Sequence, residues 1–75
     1  KPVARAWLLR LRKEAKLTQE EVADLVQTTQ QHYSLIEKGE RRPSPRLAKR
    51  IAALLEFEWV KFYEDDETSA TKETA

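Results

Sequence analysis

Between Leu17 and Lys38 the apolar residues Val22, Val26, Tyr33 and Ile36 recur at spacings that two short helices can turn to one shared side. That pattern leaves little choice of fold. Two helices sharing a seam must approach closely, and a large side chain at the crossing would hold them apart; Ala23 stands at that place. Thr18 followed by Glu21 forms a capping box, in which the hydroxyl accepts from an orphan amide and the carboxylate accepts from the amide of Thr18. A helix therefore starts there and runs to about Leu25 or Val26, with Gln27 and Thr28 as the turn. A further helix is capped by Thr29, or by Thr28 with Gln31 as its box partner, and ends at Lys38 and Gly39, the single glycine of the chain.

The flanking segments read the same way. Leu8, Leu11 and Ala15 make a helical stripe that predicts a first helix over about residues 3–15, with Trp7 in the core or at its rim. Glu40, Arg41, Arg42 and Pro43 form a charged loop, after which Ser44 and Pro45 supply an N-cap and a proline at the first helical position. Leu47, Ile51, Leu54 and Leu55 are the expected buried stripe of helix four. Phe57, Trp59, Phe62 and Tyr63 give large apolar area to a short fifth helix, and most of the aromatic residues are expected in the core. No stretch alternates like a strand, so the fold class is all-α: a compact five-helix domain.

Composition narrows the function. A chain of 75 residues makes one small domain with no room for a large enclosed active site. Without cysteine it has neither a disulfide framework nor a thiolate zinc site, and one histidine, His32, cannot make a metal cluster. No cofactor is implied. No apolar run is long enough for a membrane span and no signal peptide is visible, so the expected location is the cytoplasm. Charge is split along the chain: residues 64–75 carry five acids against one lysine, whereas residues 1–63 carry thirteen basic and eight acidic groups. The expected organisation is a domain over residues 1–63 with a basic surface that suits a polyanion, followed by a disordered acidic tail over 64–75.

While the seam turns inward, Gln30, Gln31 and Ser34 are left facing out on helix three. Taken in order, the run from Leu17 to Ala23 (Leu-Thr-Gln-Glu-Glu-Val-Ala), Ile36-Glu37-Lys38-Gly39 and Arg42-Pro43-Ser44 resemble the motifs of the Cro/C1-type (Xre) helix-turn-helix regulators. The resemblance runs from about Leu8 to Tyr63, and Thr28-Thr29-Gln30-Gln31 resembles the start of the recognition helix of a lambdoid-phage repressor. It implies a lambda-repressor-like fold with helices two and three as the helix-turn-helix. The activity implied is sequence-specific binding of double-stranded DNA by a transcriptional regulator of the repressor kind, with no enzymatic chemistry.

Carried onto these residues, the resemblance sets Gln30 and Gln31 at the end of helix three that enters the major groove. A glutamine amide can pair with both N6–H and N7 of adenine, and Gln30 is the leading reader. Ser34 can reach a base or a phosphate. Leu35 stands where the phage repressor presents another glutamine, and its apolar side chain suits a thymine methyl. Gln19, Thr29, Lys38, Arg41, Arg42, Ser44 and Arg46 are the implied phosphate contacts, which fix register on the duplex. His32 suits a backbone contact or an exposed position better than base reading. Arg12 and Glu37 match a structural ion pair. Two positions depart from the family pattern, Gln27 and Glu56, where glycine is usual; either each adopts positive φ at some backbone cost, or the chain takes another path. A homodimer through helix five is the expected assembly if that helix is not used up in covering the monomer core. The alternative readings are a protein-interaction module of the antitoxin or restriction-controller kind, or the DNA-targeting domain of a longer protein.

Overall fold

The computed structural model describes residues 4–64. Helices α1 (Ala6–Glu14), α2 (Gln19–Leu25), α3 (Gln30–Glu37) and α4 (Pro45–Leu55) follow one another, and helical residues 61–64 belong to α5. Among the described residues there is no strand, and the fold is the all-helical one that the apolar periodicity requires. Of the acidic tail expected over 64–75, Glu64 belongs to α5 and residues 65–75 lie outside the described residues.

Local chemistry sets the start of three helices. At α2 the amide of Glu21 donates to Thr18 Oγ1 at 3.0 Å and the amide of Thr18 donates to Glu21 Oε1 at 2.8 Å, completing the capping box. Thr29, not Thr28, caps α3, accepting from the amide of His32 at 3.1 Å. Ser44 caps α4 through the amide of Leu47 at 3.2 Å, with Pro45 in the first turn. Helix α1 starts later than its stripe suggests, at Ala6, because Arg5 has no capping side chain and is drawn into contacts elsewhere.

All four of these helices stop in the same manner. Lys16, Gln27, Gly39 and Glu56 each have φ between 61° and 79°, in the left-handed region. After each, the next amide reaches back five residues: Leu17 to the carbonyl of Arg12, Thr28 to Ala23, Glu40 to Leu35 and Phe57 to Ala52. These bonds are the Schellman closure, which satisfies carbonyls the helix leaves unpaired. Only one of the four is glycine, so Lys16, Gln27 and Glu56 each carry a left-handed penalty of about 1–2 kcal/mol. The chain tolerates it because the closures aim the following helices back onto one core.

That core contains Leu8, Val22, Ala23, Val26, Tyr33, Ile36, Ala48, Ile51, Leu55 and Phe62. Ala23 is buried at the α2 and α3 crossing, where the small side chain lets the helices approach. On α4 the inner face is turned away from the leucine stripe, towards Ala48 and Ala52. Ala48 and Ala52 are buried beside Ile51 and Leu55, while Leu47 and Leu54 are half-buried along its edges. Aromatic burial is likewise partial: Tyr33 and Phe62 are sealed, whereas Trp7, Phe57, Trp59 and Tyr63 pack around the rim. Trp7, Phe57 and Phe62 meet edge to face with ring centroids 5.1 to 5.5 Å apart, a geometry that aligns positive ring edges with negative faces.

Candidate nucleic-acid interface

The outer face of α3 is one side of an open concavity. Gln30, Gln31, His32, Ser34, Leu35 and Lys38 line it from α3 and its end, Thr29 from the cap, Gln19 from the start of α2 and Arg41 from the following loop. Two cations and no acid border it. Gln31, Ser34, Leu35 and Lys38 lie three, four and seven residues apart, which places them on one face of the helix. Gln30 and Gln31 are exposed at its N-terminal end, where unpaired amides also point outward. Ser34, Leu35 and His32 are half-buried in the floor and wall. Arg42, Ser44 and Arg46 fall outside the concavity but are exposed along the loop and first turn of α4. The hydroxyls of Thr29 and Ser44 serve as helix caps, and each still has its own proton to donate.

Behind this face a polar cluster fixes the helices that carry it. Arg12 Nε on α1 donates to Glu37 Oε2 at 2.6 Å, and Arg12 Nη1 donates to the carbonyl of Leu17 at 2.9 Å. Gln19 Nε2 on α2 donates to Glu37 Oε1 at 2.9 Å. One carboxylate thus gathers α1, α2 and α3. Burial alone would push the Glu37 carboxyl up, but hydrogen bonds from Arg12 and Gln19, with the charge of Arg12, bring it below the usual carboxylate range. The hydrogen bond to Glu37 outweighs desolvation at Arg12 and raises its guanidinium further. The neighbouring Tyr33 hydroxyl is buried, which drives it well above the ordinary phenol value, and the Glu37 charge adds to that. Gln19 therefore reaches the concavity with its amide already oriented by Glu37.

Residues 8–62 match the helix-turn-helix family as a continuous stretch. The chain belongs to that family, in its Cro/C1-type branch. It is 44% identical over 61 residues to the uncharacterised HTH-type transcriptional regulator YqaF of Bacillus subtilis (strain 168), a match covering 81% of this chain and 80% of that protein. Membership makes it a helix-turn-helix DNA-binding regulator, and the crossing at Ala23 is the helix-turn-helix itself. No helix among the described residues is long and apolar enough to cross a membrane. Among those residues no group of histidine, aspartate or glutamate could hold a metal ion.

Sequence reasoning overlooked one residue of the regulator's interface architecture. Arg5, only 4% exposed, donates from Nη1 to the carbonyls of Ile36 at 2.6 Å and Arg41 at 3.1 Å, and its amide donates to the carbonyl of Glu37 at 2.8 Å. An arginine ahead of a helix ordinarily reads as a solvated charge. No local signal could have found it, because its partners are carbonyls at and beyond the negative C-terminal end of α3, brought near only by the fold.

Proposed function

We propose that this regulator is a repressor that inserts α3 into the major groove, reads bases with Gln30, Gln31, Ser34 and Leu35, and holds phosphates with Gln19, Thr29, Lys38, Arg41, Arg42, Ser44 and Arg46. The observation that carries this reading is the acid-free concavity, with the two glutamines at the exposed N-terminal end of α3 and cations on its border. By contrast, the groove between α1 and the end of α4 is lined by Leu11, Ala15, Leu54 and Leu55 together with Glu14 and Glu56, which would repel phosphate. Residues 1–63 form the binding unit and act in the cytoplasm, where the duplex is.

A two-fold dimer on a pseudo-palindrome accompanies this reading. Val60, 44% exposed just before α5, and the half-buried Trp59 and Tyr63 are the apolar surface that would meet its copy. Selection from randomised duplexes, followed by gel shifts, tests the whole reading. An enriched motif is expected, with discrimination at an A·T pair reduced by about 1–3 kcal/mol in Gln30→Ala or Gln31→Ala. Arg41→Ala and Arg42→Ala should weaken all duplexes alike and each lower the slope of log K against log salt by about 1. Recovery of no motif, with binding indifferent to both glutamines, would refute base reading.

A further inference from the structure

The loop that leads from α3 to α4 is held by side chains from outside both helices. Its carbonyl at Arg41 accepts from the buried guanidinium of Arg5, 36 residues earlier, and its carbonyl at Pro43 accepts from the hydroxyl of Tyr63, 20 residues later, at 2.9 Å. Arg5 Nη1 spends both of its protons there, one on Arg41 and one on Ile36 at the end of α3. Phe62 lies under the same guanidinium, 5.6 Å from its ring centroid, and Arg42 stands 6.0 Å from the ring of Tyr63. The loop is therefore tied at both sides to α3 and α5.

Neither anchor lies in the concavity, and the Arg5 guanidinium is too deeply covered to reach a phosphate. Burying a guanidinium is costly unless its protons are used, and here one nitrogen spans two carbonyls that an apolar side chain would leave unpaired. At Tyr63 a phenylalanine would fill the same space, so the hydroxyl adds only the bond to Pro43. Exposed cations on a loose loop must be ordered when they bind, and fixing the backbone in advance removes that loss.

We propose that Arg5 and Tyr63 are positioning residues for DNA binding, fixing the backbone at Arg41 and Pro43 so that Arg41 and Arg42 meet successive phosphates already in place. This rests on the reading of that loop as a phosphate clamp. The test compares the full chain with Tyr63→Phe and Arg5→Lys. Each is measured on the selected duplex and on an unrelated one, at a temperature where melting curves show every variant folded. Tyr63→Phe should lose affinity about threefold to tenfold on both duplexes, leaving their ratio unchanged. Placed in a chain that already carries Arg41→Ala and Arg42→Ala, it should cost less than about twofold, because the residues it acts through are gone. Arg5→Lys keeps the charge but not the fork and should behave in the same way. Parent-like affinity in both variants, an equal loss in the double-alanine background, or an altered ratio between duplexes would overturn the inference. A parent chain that binds no duplex would instead overturn the DNA-reading proposal on which it stands.

Discussion

Replacing Glu37 by glutamine keeps the shape of the side chain and removes the charge around which three helices are arranged. Glu37 is 6% exposed and Arg12 11%, so Arg12 would be left with little water and no counter-ion. Breaking one side of a fully buried pair costs about 3–5 kcal/mol, and the small exposure of Arg12 together with the surviving bond to Leu17 lowers this to about 2–3 kcal/mol. In a domain this small, where each kcal/mol moves the midpoint by about 4–8 °C, the melting temperature should fall by about 10–20 °C. The same carboxylate makes wild-type stability depend on pH. Its folded pKa lies below the unfolded value of about 4.3, so the unfolded chain binds the proton more readily in between. The contribution of Glu37 is complete above that unfolded value and is lost as pH falls through it towards the depressed folded one. Thermal and urea unfolding followed by circular dichroism from pH 7 to pH 3 should show this loss in the wild type and a smaller one in Glu37→Gln. An Arg12→Met, Glu37→Leu double variant should be less destabilised than the two single changes added together. A cost under about 0.5 kcal/mol for Glu37→Gln, or strict additivity in the double variant, would refute the account of the cluster as a coupled unit.

Two further outcomes follow from local geometry. Gln27→Gly and Glu56→Gly should each stabilise the fold by about 0.5–1 kcal/mol, since relief of left-handed strain exceeds the added chain entropy of glycine; destabilisation in urea titrations would contradict this. If Leu35 meets a thymine methyl, exchanging that thymine for uracil should weaken binding by about 0.8 kcal/mol, and the difference should vanish in Leu35→Ala.

The seam residues Val22, Val26, Tyr33 and Ile36 were legible because helical periodicity reports burial directly, and Thr18, Ser44 and Gly39 were legible because capping is chemistry within a few residues. Residues that act over distance were harder to read. Arg5 owes its burial to carbonyls more than 30 residues away, for which no local pattern exists. On α4 the leucines outrank the alanines in hydrophobicity, yet Ala48 and Ala52 are buried beside Ile51 and Leu55 while Leu47 and Leu54 are only half-buried, because the rotation of the helix is set by the elements packed on it and not by its own sequence. Lys16 gave no warning of its left-handed backbone, since lysine has no preference for it and the closure is set by the helices on either side. Among the proposed contacts, the concavity gathers residues from α2, α3 and the loop, while Arg42, Ser44 and Arg46 stand apart from it; sequence spacing alone could not draw that line.

The bond from Tyr63 to Pro43 joins the last described helix to the loop beside the proposed DNA surface. Thermodynamic linkage gives that bond a consequence in both directions. Anything that grips α5 and draws Tyr63 away from Pro43 would lower affinity for the duplex, and the duplex would lower affinity for that binder by the same factor. A contact that pressed Tyr63 into place would have the opposite sign. Occupancy at α5 would then be readable as a change in binding at the DNA face, with no rearrangement of α3 required.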